Sequence, residues 1–394
     1  MDLRSIARDL AVASRLGWRA TRRRLTAPSA QTSGVQLRTS IESWLPRLPD
    51  GLVASYRCVE IAATQPPWID TGLLLQPGQG VTWFATGRVY LSRPLDVWVE
   101  PSFQLWGRVG SEGGVFRGTR TTHTFSAMQA GTLSLASYFP GEWQDQHGSL
   151  ATPVADYAKV SGGMTICIVA WQPGVDVKTA LAQSVAEAQQ PDAVRAEMRR
   201  LSEPVPSVAG WDYLWYLGPA EIYRPTFTAQ GEAAIRCETH GNVGILRRDA
   251  RMPLEPGTQL AWSWRVDALP SDLREDSLPA HDYMSIAVEF DDGQDLTYYW
   301  SSSLPVGTVY RCPLPTWRDK ETHVVVRSGP AQPGRWLDER RDLYADYQRI
   351  IGGPARSVVR VWLIANSLFQ RGHGQCEYAR IALTEPTGAS LAVL

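Results

Sequence analysis

The residues of this chain best suited to chemistry are acids and aromatic rings set side by side. Asp282 and Tyr283 stand just before one expected strand, and Tyr299 and Trp300 close its expected hairpin partner, so antiparallel pairing would bring them together. An aspartate held beside Tyr283 and Tyr299 in an aromatic pocket suits a general base or proton donor, because burial raises a carboxyl pKa. The same Asp282 equally reads as a polar cap paired with Arg265 or Arg340. After another expected strand comes Tyr138-Phe139-Pro140-Gly141-Glu142-Trp143-Gln144-Asp145. There an indole could stack on a sugar face while Glu142 and Asp145 bond its hydroxyls, and an aromatic loop plug explains the same residues. Arg335 and Trp336, with Glu339, Arg340 and Arg341, could clamp a carboxylate or phosphate through bidentate guanidinium bonds. Internal ion pairs that lock a short helix to a sheet account for that cluster too.

Metal chemistry finds less to work with. Glu289, Asp291, Asp292 and Asp295 place four carboxylates in a seven-residue run, which could feed hard oxygen ligands to calcium. Asp292-Gly293 is also the strongest short hairpin signal, since glycine accepts positive φ, and the hairpin is the reading taken here. The five cysteines, Cys58, Cys167, Cys237, Cys312 and Cys376, form no CxxC pair and read as buried thiols. The six histidines form no HxH or HxxxH pair. No cofactor and no metal site are therefore expected, with calcium left open at the acidic run. Phosphate loops, serine nucleophile elbows and dinucleotide fingerprints are absent, and no basic face outside the N-terminus suggests nucleic acid.

The elements that must position these residues follow from composition and period. A chain of 394 residues, 44% hydrophobic and 20% charged, is long enough for two or three globular domains. Residues 1–25 carry seven arginines against two aspartates, about +5, while the remainder is about −6. Leu3, Ile6, Leu10, Ala13, Leu16 and Ala20 share one face there, giving a basic amphipathic helix over residues 1–28. It could lie on an anionic membrane surface with Trp18 at the interface, or dock on its own domain. An apolar signal-peptide core is missing, so a cytoplasmic protein, peripheral to the membrane at most, is expected. After a linker at 28–34, residues 35–173 read as short strands punctuated by Gly and Pro, a first sandwich. Residues 174–204 read as a helical connector started by Asp176 and restarted at Pro191-Asp192. Residues 208–388 read as a second, Trp-rich sandwich, in which Leu260, Trp262, Trp264 and Val266 alternate with polar neighbours. The expected fold is thus mainly β, with two jelly-roll-like sandwiches, a helical connector and a basic N-terminal helix.

The second half resembles a bacterial family, domain-of-unknown-function family 3047. The likeness runs through Trp262-Ser263-Trp264-Arg265-Val266, His281-Asp282-Tyr283, Tyr298-Tyr299-Trp300 and Leu304-Pro305-Val306-Gly307-Thr308. It continues through Val325-Val326-Arg327-Ser328-Gly329, Arg335-Trp336, Glu339-Arg340-Arg341 and Asp346-Tyr347. The resemblance implies an exported β-sandwich and no reaction. Where such domains carry an acidic, Asn-containing strand end, this chain has Asn366-Ser367-Leu368-Phe369. Residues 68–72, 77–78 and 85–87 of the first half are similar to the opening of small galactose-binding lectin-like sandwiches, which implies a sugar ligand there.

These features point first to ligand binding, of a carbohydrate or an amphipathic organic molecule, at Trp143, Glu142, Asp145, Trp300, Trp336 and Arg340. The competing expectation is an enzyme with Asp282, Tyr283 and Tyr299 in an aromatic cleft. It would be a glycan hydrolase or lyase, or an isomerase or hydratase on an apolar substrate. A membrane-recruited assembly subunit is the third.

Overall fold

The computed structural model of the chain describes residues 3–26, 30–65, 67–138, 142–183 and 190–394. These divide into two compact units, Met1–Pro204 and Val205–Leu394. Both are β-sandwiches, and the fold is mainly β. No helix among the described residues is long and apolar enough to cross a membrane.

In the first unit the strands are β1 (Val53–Ala62), β2 (Ile69–Leu75), β3 (Gly80–Ser92), β4 (Val97–Val99), β5 (Leu105–Val109), β6 (Phe116–Arg117), β7 (Thr122–Ser126), β8 (Gly131–Ser137) and β9 (Ser161–Trp171). One sheet runs β1-β9-β3-β4 with β7 also on β3, and the other runs β2-β8-β5-β6. Leu73, Leu75, Val81, Trp83, Leu133, Leu135, Ile166 and Ile168 are the alternate residues of these strands, and they fill the space between the sheets.

The outer face of the five-stranded sheet is covered by helices α2 (Ala30–Trp44), α3 (Val177–Gln183) and α4 (Asp192–Ser202). Here the structure corrects two expectations. Residues 30–34 belong to a helix rather than to a linker, because Ile41 and Trp44 recur at helical spacing and bury against Phe84 and Trp171. The expected connector is part of this unit, since Leu181 and Val194 lie in the same cluster. Asp176 starts α3 as read from the sequence, accepting a bond from the Thr179 amide at 3.0 Å. The N-terminal helix α1 (Leu3–Thr26) buries Val12, Leu16 and Ala20, and Arg19 pairs with Asp96 at 3.4 Å. Leu16 and Ala20 of the expected apolar stripe therefore face protein, while Leu10, Ala13 and Trp18 are exposed.

The second unit packs a seven-stranded sheet on a six-stranded one. The first runs β10 (Asp212–Tyr213), β13 (Val243–Pro253), β20 (Ser357–Asn366), β15 (Tyr283–Phe290), β16 (Asp295–Ser301), β18 (Glu321–Ser328) and β17 (Val309–Arg311). The second runs β11 (Tyr223–Phe227), β12 (Ala233–His240), β21 (His373–Thr384), β14 (Gln259–Ala268) and β19 (Trp336–Asp342), with β22 (Ser390–Ala392) on β21. Trp262 and Trp264 share the inner face, as their period-two spacing requires, and meet Tyr298 at 5.8 Å and Trp300 at 6.2 Å from the opposite sheet. The β15–β16 connection is the hairpin read from Asp292-Gly293, with Gly293 at φ +77. All ladders are antiparallel except β16–β18, so residues 302–320 must cross over.

Candidate functional site

Alternation in β13, β15, β16, β18 and β20 sends a second set of side chains to the outer face of the seven-stranded sheet. Ile245, Tyr283, Ala287, Tyr299, Val325, Trp362 and Ile364 form a separate apolar cluster there. The crossover contributes Leu304 and partly buried Trp317, and the segment before β11 contributes Leu214 and partly buried Tyr216. Among these apolar residues sit buried polar groups.

Glu321 and His323 occupy alternate positions of β18 and so point to the same side. Thr297 of β16 lies opposite His323, and Tyr310 of β17 lies on its other flank. His281 immediately precedes the Asp282-Tyr283 entry to β15, and Cys312 follows β17, its amide bonded to the Glu321 carbonyl at 3.0 Å. His281, Cys312, Glu321 and His323 are all buried, and their donor atoms lie within 4.8 Å of one another. Cys312 Sγ is 3.4 Å from His281 Nε2, and Glu321 Oε1 is 3.3 Å from His323 Nε2.

The surroundings fix each of these side chains. His281 Nδ1 meets the Glu275 carbonyl at 2.6 Å, which holds the proton on Nδ1 and leaves Nε2 facing Cys312. Tyr283 and Thr297 hydroxyls both donate to Glu321 Oε1, each at 3.0 Å. Tyr310 stacks on the His323 ring at 5.0 Å, nearly parallel, and donates its hydroxyl to Tyr299 at 2.9 Å. Both His323 ring nitrogens nonetheless lack a hydrogen bond of good geometry. Burial, helped by His323, holds His281 down at about 3, so it is a neutral imidazole. Burial and the Glu321 charge push the Cys312 thiol up. Burial opposes ionisation of Glu321, but the neighbouring His323 outweighs it and keeps the carboxyl low.

Residues 210–382, which carry this sheet and this cluster, match a known family. The family is DUF3047, described as a protein of unknown function. The end of β20 lies beside the cluster, because Asn366 donates to the His281 carbonyl at 2.9 Å. No curated protein matches the chain. Among solved structures, the chain is similar to a PllA-like lectin, the EclA N-terminal domain, at 16% identity and TM-score 0.23, over 31% of this chain and 99% of that one. It is similar at 12% identity and TM-score 0.28 to the xyloglucanase domain of NopAA, a type three effector from Sinorhizobium fredii, over 45% of this chain and 95% of that one. A carbohydrate-binding module of the beta-sandwich superfamily is 8% identical at TM-score 0.23, over 86% of this chain and all of that one.

The residues singled out from the sequence scatter. Tyr283 and Tyr299 do enter the cluster, 5.8 Å apart by ring centroid. Asp282 turns away from it and anchors the chain after β20, accepting from the amides of Phe369 at 3.0 Å and Gln370 at 2.5 Å. In this position it serves as a structural anchor. Trp300 is inner core, 2% exposed, with its N–H on the Gly329 carbonyl, because it shares the parity of Leu296 and Tyr298. Trp143 is also buried, stacked on Trp68 at 5.0 Å and edge-on to Trp106 at 5.8 Å, so it is a plug and not a platform. Asp145 caps its own turn through the amides of His147 and Ser149, and Glu142 is half-buried beside it. Trp336 is half-buried on β19 of the other sheet under Arg265, and Arg340 of the same strand is exposed. Neither belongs to the outer-face cluster.

The four carboxylates of the acidic run diverge, so they do not assemble one calcium site. Glu289 binds Arg360 at 2.9 Å, Asp291 caps Arg356 and Ser357, Asp292 accepts from Tyr347, and Asp295 is buried on the outer face.

Sequence reasoning missed an aromatic ledge on that same outer face. Trp215 meets Tyr216 edge-on at 5.5 Å, Tyr216 meets Trp317 at 6.2 Å, and Trp317 stands edge-on to Trp362 at 6.1 Å. Trp215, Tyr216 and Trp317 are half-buried, leaving ring surface in solvent. Trp362 donates its N–H to Glu289 at 3.1 Å, and Arg360 bridges Glu289 and exposed Asp249. The one available signal was the parity of Arg360, Trp362 and Glu289 on paired strands.

Proposed function

We propose that this protein is a carbohydrate-binding β-sandwich protein and that the ledge of Trp215, Tyr216 and Trp317 is its ligand surface. The observation that carries this reading is the half-exposed Trp317, set between Tyr216 and Trp362 and next to the Glu289–Arg360–Asp249 network. Indole faces take the C–H face of a pyranose, and fixed carboxylate and guanidinium groups bond ring hydroxyls around it. Trp362 and Glu289 hold each other in place through one hydrogen bond, which keeps the ledge from reorganising when a ligand arrives.

The test is affinity electrophoresis of the full chain in gels containing soluble glucans, xylans or galactans, followed by titration calorimetry on whichever polysaccharide retards it. Wild type is expected to be retarded by at least one of them. Trp317→Ala should weaken binding by about tenfold or more, roughly the worth of one ring stack, while Trp336→Ala on the other sheet leaves it unchanged. Retardation that survives Trp317→Ala combined with Tyr216→Ala would move the ligand surface elsewhere. No retardation by any of the polysaccharides would end the carbohydrate reading.

A further inference from the structure

We infer that His281, Cys312, Glu321 and His323 form a closed binding site for a zinc-class divalent transition-metal ion in the second unit. Two imidazoles, a thiolate and a carboxylate make a nitrogen, sulfur and oxygen set that suits zinc and not calcium or magnesium, which take oxygen ligands. The geometry is close to that of a loaded tetrahedron. Metal–ligand bonds of about 2.0–2.3 Å place neighbouring donor atoms roughly 3.3–3.6 Å apart. The Cys312–His281 edge is already 3.4 Å, the Glu321–His323 edge is 3.3 Å, and the full set spans no more than 4.8 Å.

A plain hydrogen-bonded core does not explain this arrangement. His323 is fully buried, yet neither ring nitrogen makes a hydrogen bond of good geometry. Buried polar groups are almost always satisfied, so an orphaned imidazole aimed at a thiol, a carboxylate and a second imidazole calls for a cation among them. The supporting groups are those a metal site requires. The Glu275 carbonyl fixes the His281 tautomer with Nε2 turned to Cys312, and the Tyr283 and Thr297 hydroxyls hold the Glu321 carboxylate in place through Oε1, the oxygen 3.3 Å from His323 Nε2. All four donors come from protein and are buried, which describes a structural centre without an open catalytic position. Its mechanical role follows from where the ligands sit. Glu321 and His323 belong to β18, the strand beside the β17 edge, whereas His281 and Cys312 lie outside the strands, so the ion ties those segments to the sheet.

The experiment uses the full chain without a histidine tag, stripped by chelator and dialysed, then titrated with Zn²⁺ and separately with Co²⁺ as a spectroscopic stand-in. Expected are one tightly held zinc per chain and, with cobalt, the intense visible bands of tetrahedral coordination plus a near-ultraviolet thiolate charge-transfer band. Cys312→Ser should lose the charge-transfer band, and His323→Ala should lose tight binding. Tyr283→Phe, which touches Glu321 and not the ion, should weaken zinc by about 10–100-fold. If His323→Ala does not fold, the wild-type cobalt spectrum and Tyr283→Phe still decide. A wild-type chain that binds no zinc, weak pink octahedral cobalt without charge transfer, or zinc affinity indifferent to Cys312→Ser and Tyr283→Phe would each overturn the assignment.

Discussion

Each unit has one sheet whose outer face is covered, and the two covers differ in how they treat buried charge. In the first unit the cover is helical, and Ile41, Trp44, Leu181 and Val194 meet Phe84 and Trp171 in an apolar layer. The buried acid at that cover, Glu197, is matched by its own neighbours: Arg200 binds both carboxylate oxygens at 2.6 and 2.9 Å, and Thr122 donates at 2.7 Å. In the second unit the cover is made of loops, and beneath it neither ring nitrogen of His323 makes a hydrogen bond of good geometry, although Glu321 lies 3.3 Å from Nε2. The comparison separates burial that packing and pairing explain from burial that needs a further partner. The second kind is where a function is to be sought.

The largest expected effect tests the first cover. Trp171→Ala removes a fully buried indole together with its hydrogen bond to Thr82, and should cost about 4 kcal/mol in urea unfolding of the first unit. A loss under about 1 kcal/mol would mean that the helical cover is not a packed core. The second cover should respond to metal. Zinc at a hundredfold excess over its dissociation constant should stabilise the second unit by about 2.7 kcal/mol, and chelation should reverse this without moving the first unit. Equal shifts in both units would erase the contrast.

Glu197→Gln comes next and tests whether the first cover's charge is self-contained. Losing the carboxylate strands Arg200, which is 14% exposed, so about 2–3 kcal/mol should be lost at neutral pH. Burial works against ionisation of Glu197, but the Arg200 pairing and the threonine hydroxyls overcome it, and its pKa lies below the ordinary glutamate value. The pair's stabilisation is therefore fully present above that ordinary value and is lost as pH falls through the lower folded one. Unfolding curves of wild type and variant should converge in acid. A gap that persists there would assign the cost to shape and not to charge.

How much of this was legible depends on the range of the interactions. Period-two parity is local, so the strand at Ser357–Asn366 and the inward pair Trp262 and Trp264 could be read from their own neighbours. Parity in Leu296, Tyr298 and Trp300 likewise places Trp300 in the core, a consequence the attraction of a strand-end tryptophan obscured. The helix over Ala30–Trp44 was hidden by Ser, Thr and Gln, which speak for a loop until Phe84 and Trp171 are known to lie beneath it. The cluster was out of reach for a different reason. His281 and Cys312 are on segments outside the strands: the sheet order β15-β16-β18 carries His281 to Glu321 and His323, and the antiparallel β17–β18 pairing carries Cys312 there. Spacing rules such as HxH search one helix or strand, and this site draws on three segments. The local trace it left was Glu321-x-His323, two ligand types on one face of one strand.

The smallest expected effect on stability is the one that best separates ledge from cluster. Trp317 lies five residues beyond Cys312 on the same crossover, and it packs on the outer face where Cys312 joins the donor cluster. Its ring is only half-buried and meets Trp362 edge-on, so Trp317→Ala should cost about 1 kcal/mol or less in unfolding. Indole offers no metal ligand, and the bonds that orient His281 and Glu321 come from Glu275, Tyr283 and Thr297. Zinc affinity should then be unmoved in a variant whose polysaccharide binding has fallen about tenfold. If zinc affinity falls with it, the ledge and the cluster are one cooperative structure, and the crossover transmits the loss of a surface ring to a buried donor set.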